Sequence, residues 1–286
     1  MKIKVFGSRL SRSFGGDMVM LVFLVLAAAF MALPLIYVIM SSFKPYEEIF
    51  IFPPRFFVKN PTTENFYNMF ALSSNLWVPF TRYIFNSMFV SVMGTTAQVL
   101  ICSMAAYPLA KHQFRGKNII FSIIILALLF TPQVTFLPQY VILSKLGMIN
   151  TYLSIILPPL GAAFGLFLMK QFMETIPISL IEASRIDGAN ELKTFWSIVM
   201  PNVKPAWLTL IVFSFQAYWN NNGNSFLYNE SLKLLPSALQ QIATAGIARF
   251  GVGMATTVVL MIPPITIFIL TQSNIIETMA QAGIKE

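Results

Sequence analysis

Charged residues are scarce in this chain of 286 residues: they make up 10% of it, whereas hydrophobic residues make up 56%. A soluble domain carries roughly 25% charged residues. The scarcity excludes an ordinary soluble protein, and no stretch long enough for a soluble domain lies outside the apolar segments. We therefore expect a single all-α integral membrane domain.

Cysteine and histidine each occur once. Cys102 lies in an apolar segment and can form no disulfide within the chain, so we expect it to be a packing residue. His112 lies in a basic turn, where no metal site can be assembled around it. The sequence also lacks a Gly-x-x-x-x-Gly-Lys-Ser/Thr phosphate loop, and no carboxylate lies deep in an apolar segment. We expect no metal and no cofactor on this chain, and no proton-coupled transport through it.

Six stretches lack charged residues, and each exceeds the roughly 20 residues that a membrane-spanning helix needs. They cover residues 18–43, 83–110, 118–144, 146–169, 205–229 and 250–276. Pro132 predicts that the third helix ends near Phe130, before a turn or short helix, and Pro158-Pro159 should kink the fourth, which begins near Thr151. The first stretch is longer than the apolar core of a cleaved signal peptide, about 7–15 residues. We therefore expect six transmembrane helices over residues 18–276.

Basic residues flank the apolar segments instead of gathering on one surface, which argues against a nucleic-acid partner. Six helices place the N-terminal segment 1–17, the 111–117 loop, the 170–204 loop and the tail 277–286 on one side. Most of the basic residues lie there: Lys2, Lys4, Arg9, Arg12, Lys111, Arg115, Lys117, Lys170, Arg185, Lys193, Lys204 and Lys285. The positive-inside rule assigns this side, with both termini, to the cytoplasm. The proline-rich segment 44–81 should then form an ordered extracytoplasmic cap with short helices.

Residues 182–205 form a charged, helix-breaking island between two apolar segments. Its pattern is carried by Glu182-Ala183, Asp187-Gly188-Ala189, Phe195, Ile198, Pro201 and Pro205. The pattern resembles the EAA loop of ABC-importer permeases. The resemblance, to sugar-uptake permeases of the maltose-permease kind, extends from about residue 15 to the C-terminus. The chain departs from the common motif at Ser184, where alanine is usual, and at Met200, where leucine is usual.

The resemblance implies a type I ABC-importer permease fold. It implies that the chain is one transmembrane subunit of an ATP-driven, binding-protein-dependent oligosaccharide importer in the bacterial cytoplasmic membrane. The implied partners are a second homologous permease in a heterodimer, two cytoplasmic ATPase subunits that carry ATP and Mg²⁺, an extracytoplasmic sugar-binding protein, and the lipid bilayer. An importer of another polar solute, such as a peptide, is the alternative. A stand-alone secondary carrier would not need the charged island, and a membrane enzyme would need catalytic groups that the sequence does not offer.

Local chemistry predicts two helices in the island. Ser179 and Glu182 match the capping-box pattern and Gly188 supplies a left-handed stop, which together predict a first helix over about 179–187. Asn190 can cap a second helix, which should run through Phe195 and Trp196 until Pro201 weakens it.

The resemblance implies that the first of these helices is the coupling helix, seated in a groove of the ATPase. Its candidate contact residues are Leu180, Ile181, Glu182, Ala183, Arg185, Asp187 and Gly188. Glu182 is either a local cap or a direct contact with the ATPase, and Gly188 is either a plain helix stop or a site of close backbone approach. Three further residues should pack the loop against the helix bundle: Phe195, Ile198 and Pro201.

The substrate path should be polar and uncharged. Its candidates are Asn86, Gln98, Gln216, Tyr218, Trp219, Asn220, Asn221 and Asn222. On a helix, Gln216 shares a face with Trp219 and Asn220, so these three could line one side of a path for a sugar. The alternatives are hydrogen bonds between helices for the polar residues and anchoring at the membrane interface for Tyr218 and Trp219.

Overall fold

The computed structural model describes residues 14–74, 78–243 and 249–282, and throughout these ranges the regular elements are helical. The helices are α1 (Phe14–Ser42), α2 (Tyr46–Ile49), α3 (Glu64–Ser73), α4 (Phe80–Lys111), α5 (Lys117–Ala127), α6 (Pro132–Lys145), α7 (Leu153–Leu160), α8 (Ala163–Glu174), α9 (Ile178–Ile186), α10 (Glu191–Thr194), α11 (Met200–Asn202), α12 (Lys204–Trp219), α13 (Leu235–Ala243) and α14 (Phe250–Ala282). A π-helical segment, Phe195–Val199, joins α10 to α11, and a 3₁₀ turn, Glu230–Leu232, precedes α13. The predicted all-α architecture is confirmed.

Within the described ranges, three helices are long and apolar enough to cross a membrane: Gly15–Ser42 within α1, Phe80–Lys111 (α4) and Phe250–Gln272 within α14. Three further spans are possible if each of three bent helix pairs is one crossing. The bends are 107° between α5 and α6, 43° between α7 and α8, and 80° between the Glu191–Asn202 segment and α12. Together they agree with the six predicted apolar stretches.

Proline accounts for two of these breaks. The third predicted span ends at Ala127, and α6 begins at Pro132 after a short connection, close to the predicted end at Phe130. Pro158 and Pro159 lie inside α7, and the chain bends directly after it. Because proline has no backbone N–H, Pro158 and Pro159 each leave a carbonyl oxygen one turn earlier without its helical donor, whereas Pro132 stands at the start of α6, where proline costs no helical hydrogen bond.

Helix α4 lies at the centre of the bundle, packed against α12, α8 and α7, while α12 also packs against α14. Cys102 of α4 is buried, and a Cβ at Gly165 of α8 would lie 2.9 Å from its Sγ. Cys102 is therefore a packing residue at a close helix crossing. In contrast, α1 lies against α14 with most of its apolar side chains exposed, as expected for a helix that faces lipid or another chain.

The predicted cap over residues 44–81 contains α2 and α3. The buried carboxylate of Glu48 accepts hydrogen bonds from the backbone N–H groups of Lys59 and Asn60. The buried amide of Asn65 donates to the carbonyl oxygens of Ser42 and Lys44, at 2.9 and 2.8 Å. These bonds fix the segment to the end of α1. Parts of the two predicted terminal segments, residues 1–13 and 283–286, lie outside the described ranges.

Candidate functional site

The loop between α8 and α12, residues 175–203, folds back against one end of the bundle and carries α9. Helix α9 begins at Ile178, with Pro177 at the N-cap position and no side-chain capping bond. Ser179 therefore already lies inside the helix, and the predicted capping box of Ser179 and Glu182 is wrong. The rigid φ of proline sets the start of the helix instead. Glu182 is exposed on the second turn, so its local capping role falls away.

The end of α9 is as predicted. Gly188 has φ +80°, and its N–H donates to the carbonyl of Arg185 at 3.0 Å, while the N–H of Ala189 donates to Ser184 at 2.9 Å. This is the hydrogen-bond pattern of a glycine-terminated helix. A Cβ at Gly188 would meet no atom of the described chain within 4 Å. The glycine is therefore required by its backbone conformation and not by crowding within this chain.

Asn190 caps the second helix, as predicted: its Oδ1 accepts from the N–H of Lys193 at 2.8 Å. Helix α10 is then only one turn long and continues as the π-helical segment, closed by the bond from Met200 N–H to the carbonyl of Phe195. Pro201 follows at once, and α11 ends before Val203. The chain turns there by 80° into α12.

The inward face of α9 is formed by Ile181 and Ser184. Ile181 is only 1% exposed and belongs to the same buried cluster as Tyr107 and Phe195, while the hydroxyl of Ser184 is 2.9 Å from that of Thr194. The expectation that Ile181 contributes to an exposed contact face is therefore contradicted. Which face of a short helix turns inward depends on the bundle beneath it, and the motif alone does not show this.

The outward face of α9 is apolar with a polar margin. Ile186 is 86% exposed and Leu180 43%, and Ile178 is half exposed. Ile178, Glu182 and Ile186 follow at intervals of four and so share one side of the helix. The remaining predicted contact residues, Ala183, Arg185, Asp187 and Gly188, are exposed as well. The prediction missed Ile178 and Ile186, although their spacing from Glu182 was visible in the sequence.

The three predicted packing residues differ in burial. Phe195 is buried, with its ring 5.6 Å from that of Tyr107 of α4. Ile198 is partly buried, whereas Pro201 is exposed. The packing role of Pro201 is thus contradicted, because the 80° turn carries it to the outside of the loop.

Glu191 joins the loop to α4. Its carboxylate accepts from the hydroxyl of Tyr107 at 3.0 Å and from the guanidinium of Arg185 at 2.8 Å, and Nε2 of His112 lies 3.5 Å away. Desolvation raises the pKa of the Glu191 carboxyl, but the hydrogen bonds from Tyr107 and Arg185 outweigh it and hold the pKa below its ordinary value. Glu191 is therefore ionised at neutral pH and bridges α9, α10 and α4.

Lys111 joins the other side of the loop to α4. Its ammonium donates to the carbonyl oxygens of Glu174 and Ile176, where α8 ends and the loop begins. The last turn of α4 thus contacts the chain both before and after α9. The sequence did not predict the bonds that Tyr107 and Lys111 make, because their partners in the loop lie more than sixty residues away along the chain.

Asn86, the first of the substrate-path candidates, is fully buried and used within the chain. Its amide nitrogen donates to the carbonyls of Ser231 and Lys233, both at 2.9 Å, and its oxygen accepts from Tyr152 at 2.6 Å. These bonds hold the loop after α12 against α4. Asn86 is therefore a structural residue with no group left for a substrate.

Tyr218 and Trp219 are likewise buried and bonded. Tyr218 donates to the carbonyl of Ile156 and Trp219 to that of Leu260, both at 2.9 Å, and the Trp219 ring stacks on Phe215. These bonds tie α12 to α7 and α14. Contacts between helices were the alternative predicted for the other polar residues, whereas anchoring at the membrane interface was the alternative predicted for Tyr218 and Trp219.

The predicted wall of Gln216, Trp219 and Asn220 does not form. Gln216 and Asn220 are exposed while Trp219 points into the bundle. Gln98 is buried in α4, and its Oε1 is without a hydrogen-bond partner among the described residues. Asn222 is exposed, and only Asn221 of the amide cluster reaches a large cavity.

This cavity has a volume of about 650 Å³ and lies between the two proline-broken spans. The breaks after α5 and α7 both open onto it. Its polar and aromatic lining comes from Phe130, Thr135, Gln139, Ser154, Phe164, Asn221 and Phe226. Pro158 and Pro159 also line it, and they deprive the Ser154 and Ile155 carbonyls of their helical donors. The cavity therefore combines aromatic faces with amide, hydroxyl and carbonyl groups.

A second, larger groove of about 730 Å³ lies between α4, α12 and α14. Its walls are formed mainly by apolar side chains such as Met88, Val92 and Ile211, with Trp196, Trp207 and Lys204 near the loop. Few polar groups, such as the hydroxyls of Thr95 and Thr96, line the groove, so a solute rich in hydroxyl groups would regain few of the hydrogen bonds that it makes to water. The smaller cavity suits a polar solute better.

Comparison with known proteins connects this geometry to a family. The family model described as "Binding-protein-dependent transport system inner membrane component" matches residues 98–279. The polygalacturonan/rhamnogalacturonan transport system permease protein YtcP of Bacillus subtilis is 33% identical, over 76% of this chain and 74% of its own. Protein LplC of the same organism is 29% identical over 94% of each chain. The arabinooligosaccharides transport system permease protein AraQ of Halalkalibacterium halodurans is 28% identical, over 90% of this chain and 92% of its own.

A solved structure shows the same fold. A chain in the crystal structure of a bacterial ABC transporter that imports the acidic polysaccharide alginate superimposes with a TM-score of 0.74. The match covers 94% of this chain and 98% of that one, at 24% identity.

Proposed function

Because this chain belongs to the family of binding-protein-dependent transport system inner membrane components, we propose that it is a permease subunit of an ATP-driven carbohydrate importer. It forms part of the translocation path and transmits the energy of ATP hydrolysis from a separate ATPase. The chain is a multi-pass membrane protein, and the proposed location is the bacterial cytoplasmic membrane. The distribution of basic residues supports an orientation with both termini in the cytoplasm.

The observation that carries the proposal is the outward face of α9. A short helix with an exposed Ile186, half-exposed Ile178 and Leu180, and a charged margin lies on a loop at one end of the bundle. An apolar patch rimmed by polar residues is typical of a protein interface. Glu182 is freed from capping, and its exposure supports the alternative of a direct contact with the ATPase.

A sugar is the solute that the cavity between the broken spans suits best. Sugars offer hydroxyl groups to amides and carbonyls and C–H surfaces to aromatic rings, and Gln139, Asn221 and Phe226 supply such groups in the cavity. Discontinuous membrane helices commonly mark solute sites in transporters, since their unpaired backbone groups can bind the solute. The names of YtcP and AraQ also refer to carbohydrates, namely polygalacturonan or rhamnogalacturonan and arabinooligosaccharides.

Among the residues that the structure describes, no Lys or Arg lines the cavity. An acidic sugar or a phosphate ester would be buried there without a compensating positive charge, which is costly. We therefore favour a neutral oligosaccharide over an acidic one at this cavity.

The proposed partners follow from the same assignment. They are a second, homologous permease, two ATPase subunits that bind ATP and Mg²⁺, and an extracytoplasmic sugar-binding protein. The exposed apolar side of α1 and the large apolar groove offer surface to the second permease or to lipid.

Affinity purification from native membranes in mild detergent, followed by reconstitution into liposomes, tests the proposal. We expect an ATPase and a second permease to copurify, and uptake of a neutral oligosaccharide to require both ATP and the binding protein. Uptake that is independent of ATP, or a functional transporter that contains no ATPase, would refute the importer assignment.

A further inference from the structure

The last turn of α4 contacts the chain on both sides of α9. Lys111 binds carbonyl oxygens at the end of α8, and Tyr107 binds the carboxylate of Glu191. Glu191 is also bonded to Arg185 on α9 itself. A displacement of α9 along or across the membrane surface must therefore act on the end of α4.

Few other contacts fix α9. Ile181 and Ser184 are its only buried side chains within the helix bounds that the structure describes. Ile181 packs by apolar contact, which has no directional preference, and Ser184 is bonded to Thr194 within the same loop. The directional bonds from α9 to a membrane-spanning helix thus pass through Glu191.

The opposite end of α4 is bonded to the loop that follows α12. Tyr83 donates to the carboxylate of Glu230 at 2.8 Å, and Asn86 donates to the carbonyls of Ser231 and Lys233. Helix α4 is continuous over 32 residues, a length of roughly 48 Å at 1.5 Å per residue. One unbroken helix therefore connects the loop that carries α9 to the loop at the other end of the bundle.

We propose that Glu191 is a positioning residue that couples the motion of α9 to α4. It acts by holding Arg185 of α9 and Tyr107 of α4 on one carboxylate. The inference rests on the proposed function, since it assigns a role in energy coupling. With Glu191 neutralised, the ATPase still docks and hydrolyses ATP, but its movement reaches α4 less completely, so fewer solute molecules cross for each ATP hydrolysed.

A purely structural role makes a different prediction. Loss of a structural contact would lower the amount of assembled complex and its melting temperature, but the complex that survives would transport with an unchanged ratio of solute to ATP. The ratio is therefore the informative measurement, and the thermal stability of each variant is recorded beside it.

The test compares Glu191→Gln, Tyr107→Phe and their double variant in reconstituted complexes, by uptake of radiolabelled sugar and by phosphate release. Glu191→Gln removes the charge that pairs with Arg185, and Tyr107→Phe removes only the hydroxyl. Glu47→Gln, the same change on an exposed residue of α2, is the control. Hydrogen bonds to charged groups support an expected loss of about tenfold in the ratio for Glu191→Gln.

Because Tyr107 and Glu191 act through one bond, the double variant should be no worse than the more severe single variant. Unchanged ratios in both single variants, with an active wild type, would overturn the coupling role of Glu191 and leave the importer assignment intact. A wild-type complex without ATP-dependent uptake would instead refute the proposed function. If the complex with Glu191→Gln fails to assemble, the ratio of solute to ATP in Tyr107→Phe tests the coupling role instead, since this variant loses only a single hydroxyl.

Discussion

The phenol ring of Tyr218 lies directly over Gly94. A Cβ at Gly94 would be 2.5 Å from Cζ of Tyr218 and 2.7 Å from each Cε. The hydroxyl of the same tyrosine donates to the carbonyl of Ile156 at 2.9 Å. One side chain of α12 thus touches α4 through its ring and α7 through its hydroxyl, so the spacing of three helices depends on the missing side chain at Gly94.

We expect Gly94→Ala to destabilise the protein, because the buried ring has to move away from α4. Overpacking of this kind costs about 1–3 kcal/mol. The measurement is the midpoint of thermal unfolding in detergent. Gly253→Ala in α14 is the control: its Cβ would lie 3.8 Å from that of Ala243, an ordinary contact. An alanine there should be neutral or stabilising, since alanine is favoured over glycine in helices by about 1 kcal/mol. Equal midpoints for the two variants would contradict the close contact.

At Gly188 the expected effect comes from the backbone. The φ of +80° is strained for any residue with a Cβ, most of all for a β-branched one, while asparagine adopts this region more readily. We predict that Gly188→Val lowers sugar-dependent ATP hydrolysis strongly and that Gly188→Asn retains most of it. Both variants should insert into the membrane. A loss of activity in Gly188→Asn equal to that in Gly188→Val would show that a partner approaches the glycine too closely for any side chain.

Much of this architecture was predictable because its causes are local. Apolar length fixes the spans, proline fixes the breaks near Phe130 and after Pro159, and Gly188 and Asn190 fix the turn between α9 and α10. Each of these features depends on a few neighbouring residues, so the sequence pattern contains the information.

The site was predicted less completely, because burial and pairing depend on distant parts of the chain. Ile181 belongs to the core because it packs in one buried cluster with Tyr107 and Phe195. The side-chain amide of Asn86 is already bonded to the carbonyl oxygens of Ser231 and Lys233. The polar residues form a conspicuous run at 216–222, yet Asn221 is the only one of them in the cavity lining. Gln139, from another span, also lines the cavity. No periodicity within a single helix shows how two broken spans face one another.

Asn86→Ala should therefore act on stability and not on sugar affinity. The change leaves two carbonyl oxygens and the hydroxyl of Tyr152 without the bonds that they make to Asn86. Each unsatisfied buried group costs about 1–3 kcal/mol. We expect a lower yield and melting temperature, and an unchanged sugar concentration for half-maximal uptake in the complex that assembles. A change in that concentration without a loss of stability would show that Asn86 contacts the substrate.

Gln139→Ala should instead change the apparent affinity for the sugar and leave stability nearly unchanged. Gln139 lines the cavity between the broken spans and is only partly buried, so its removal costs little stability. Loss of one hydrogen bond to a sugar, about 1 kcal/mol, predicts roughly a fivefold rise in the sugar concentration for half-maximal uptake. The matched control is Gln216→Ala, which removes an amide on the exposed side of α12 and should leave the sugar concentration for half-maximal uptake unchanged. A rise in this concentration for Gln216→Ala alone would show that the substrate path does not pass through the cavity.

The central claim is that the outward face of α9 binds the ATPase, and site-directed photocrosslinking at Ile186 tests it most directly. The only native cysteine, Cys102, is buried, so a maleimide–benzophenone reagent will label an introduced cysteine selectively. Ile186→Cys replaces a side chain that is 86% exposed on α9, and the control Ile119→Cys replaces one that is 68% exposed on α5. In purified complexes that retain the ATPase, we predict a covalent adduct with the ATPase from Ile186→Cys and none from Ile119→Cys. The absence of an ATPase adduct from labelled Ile186→Cys would contradict the account.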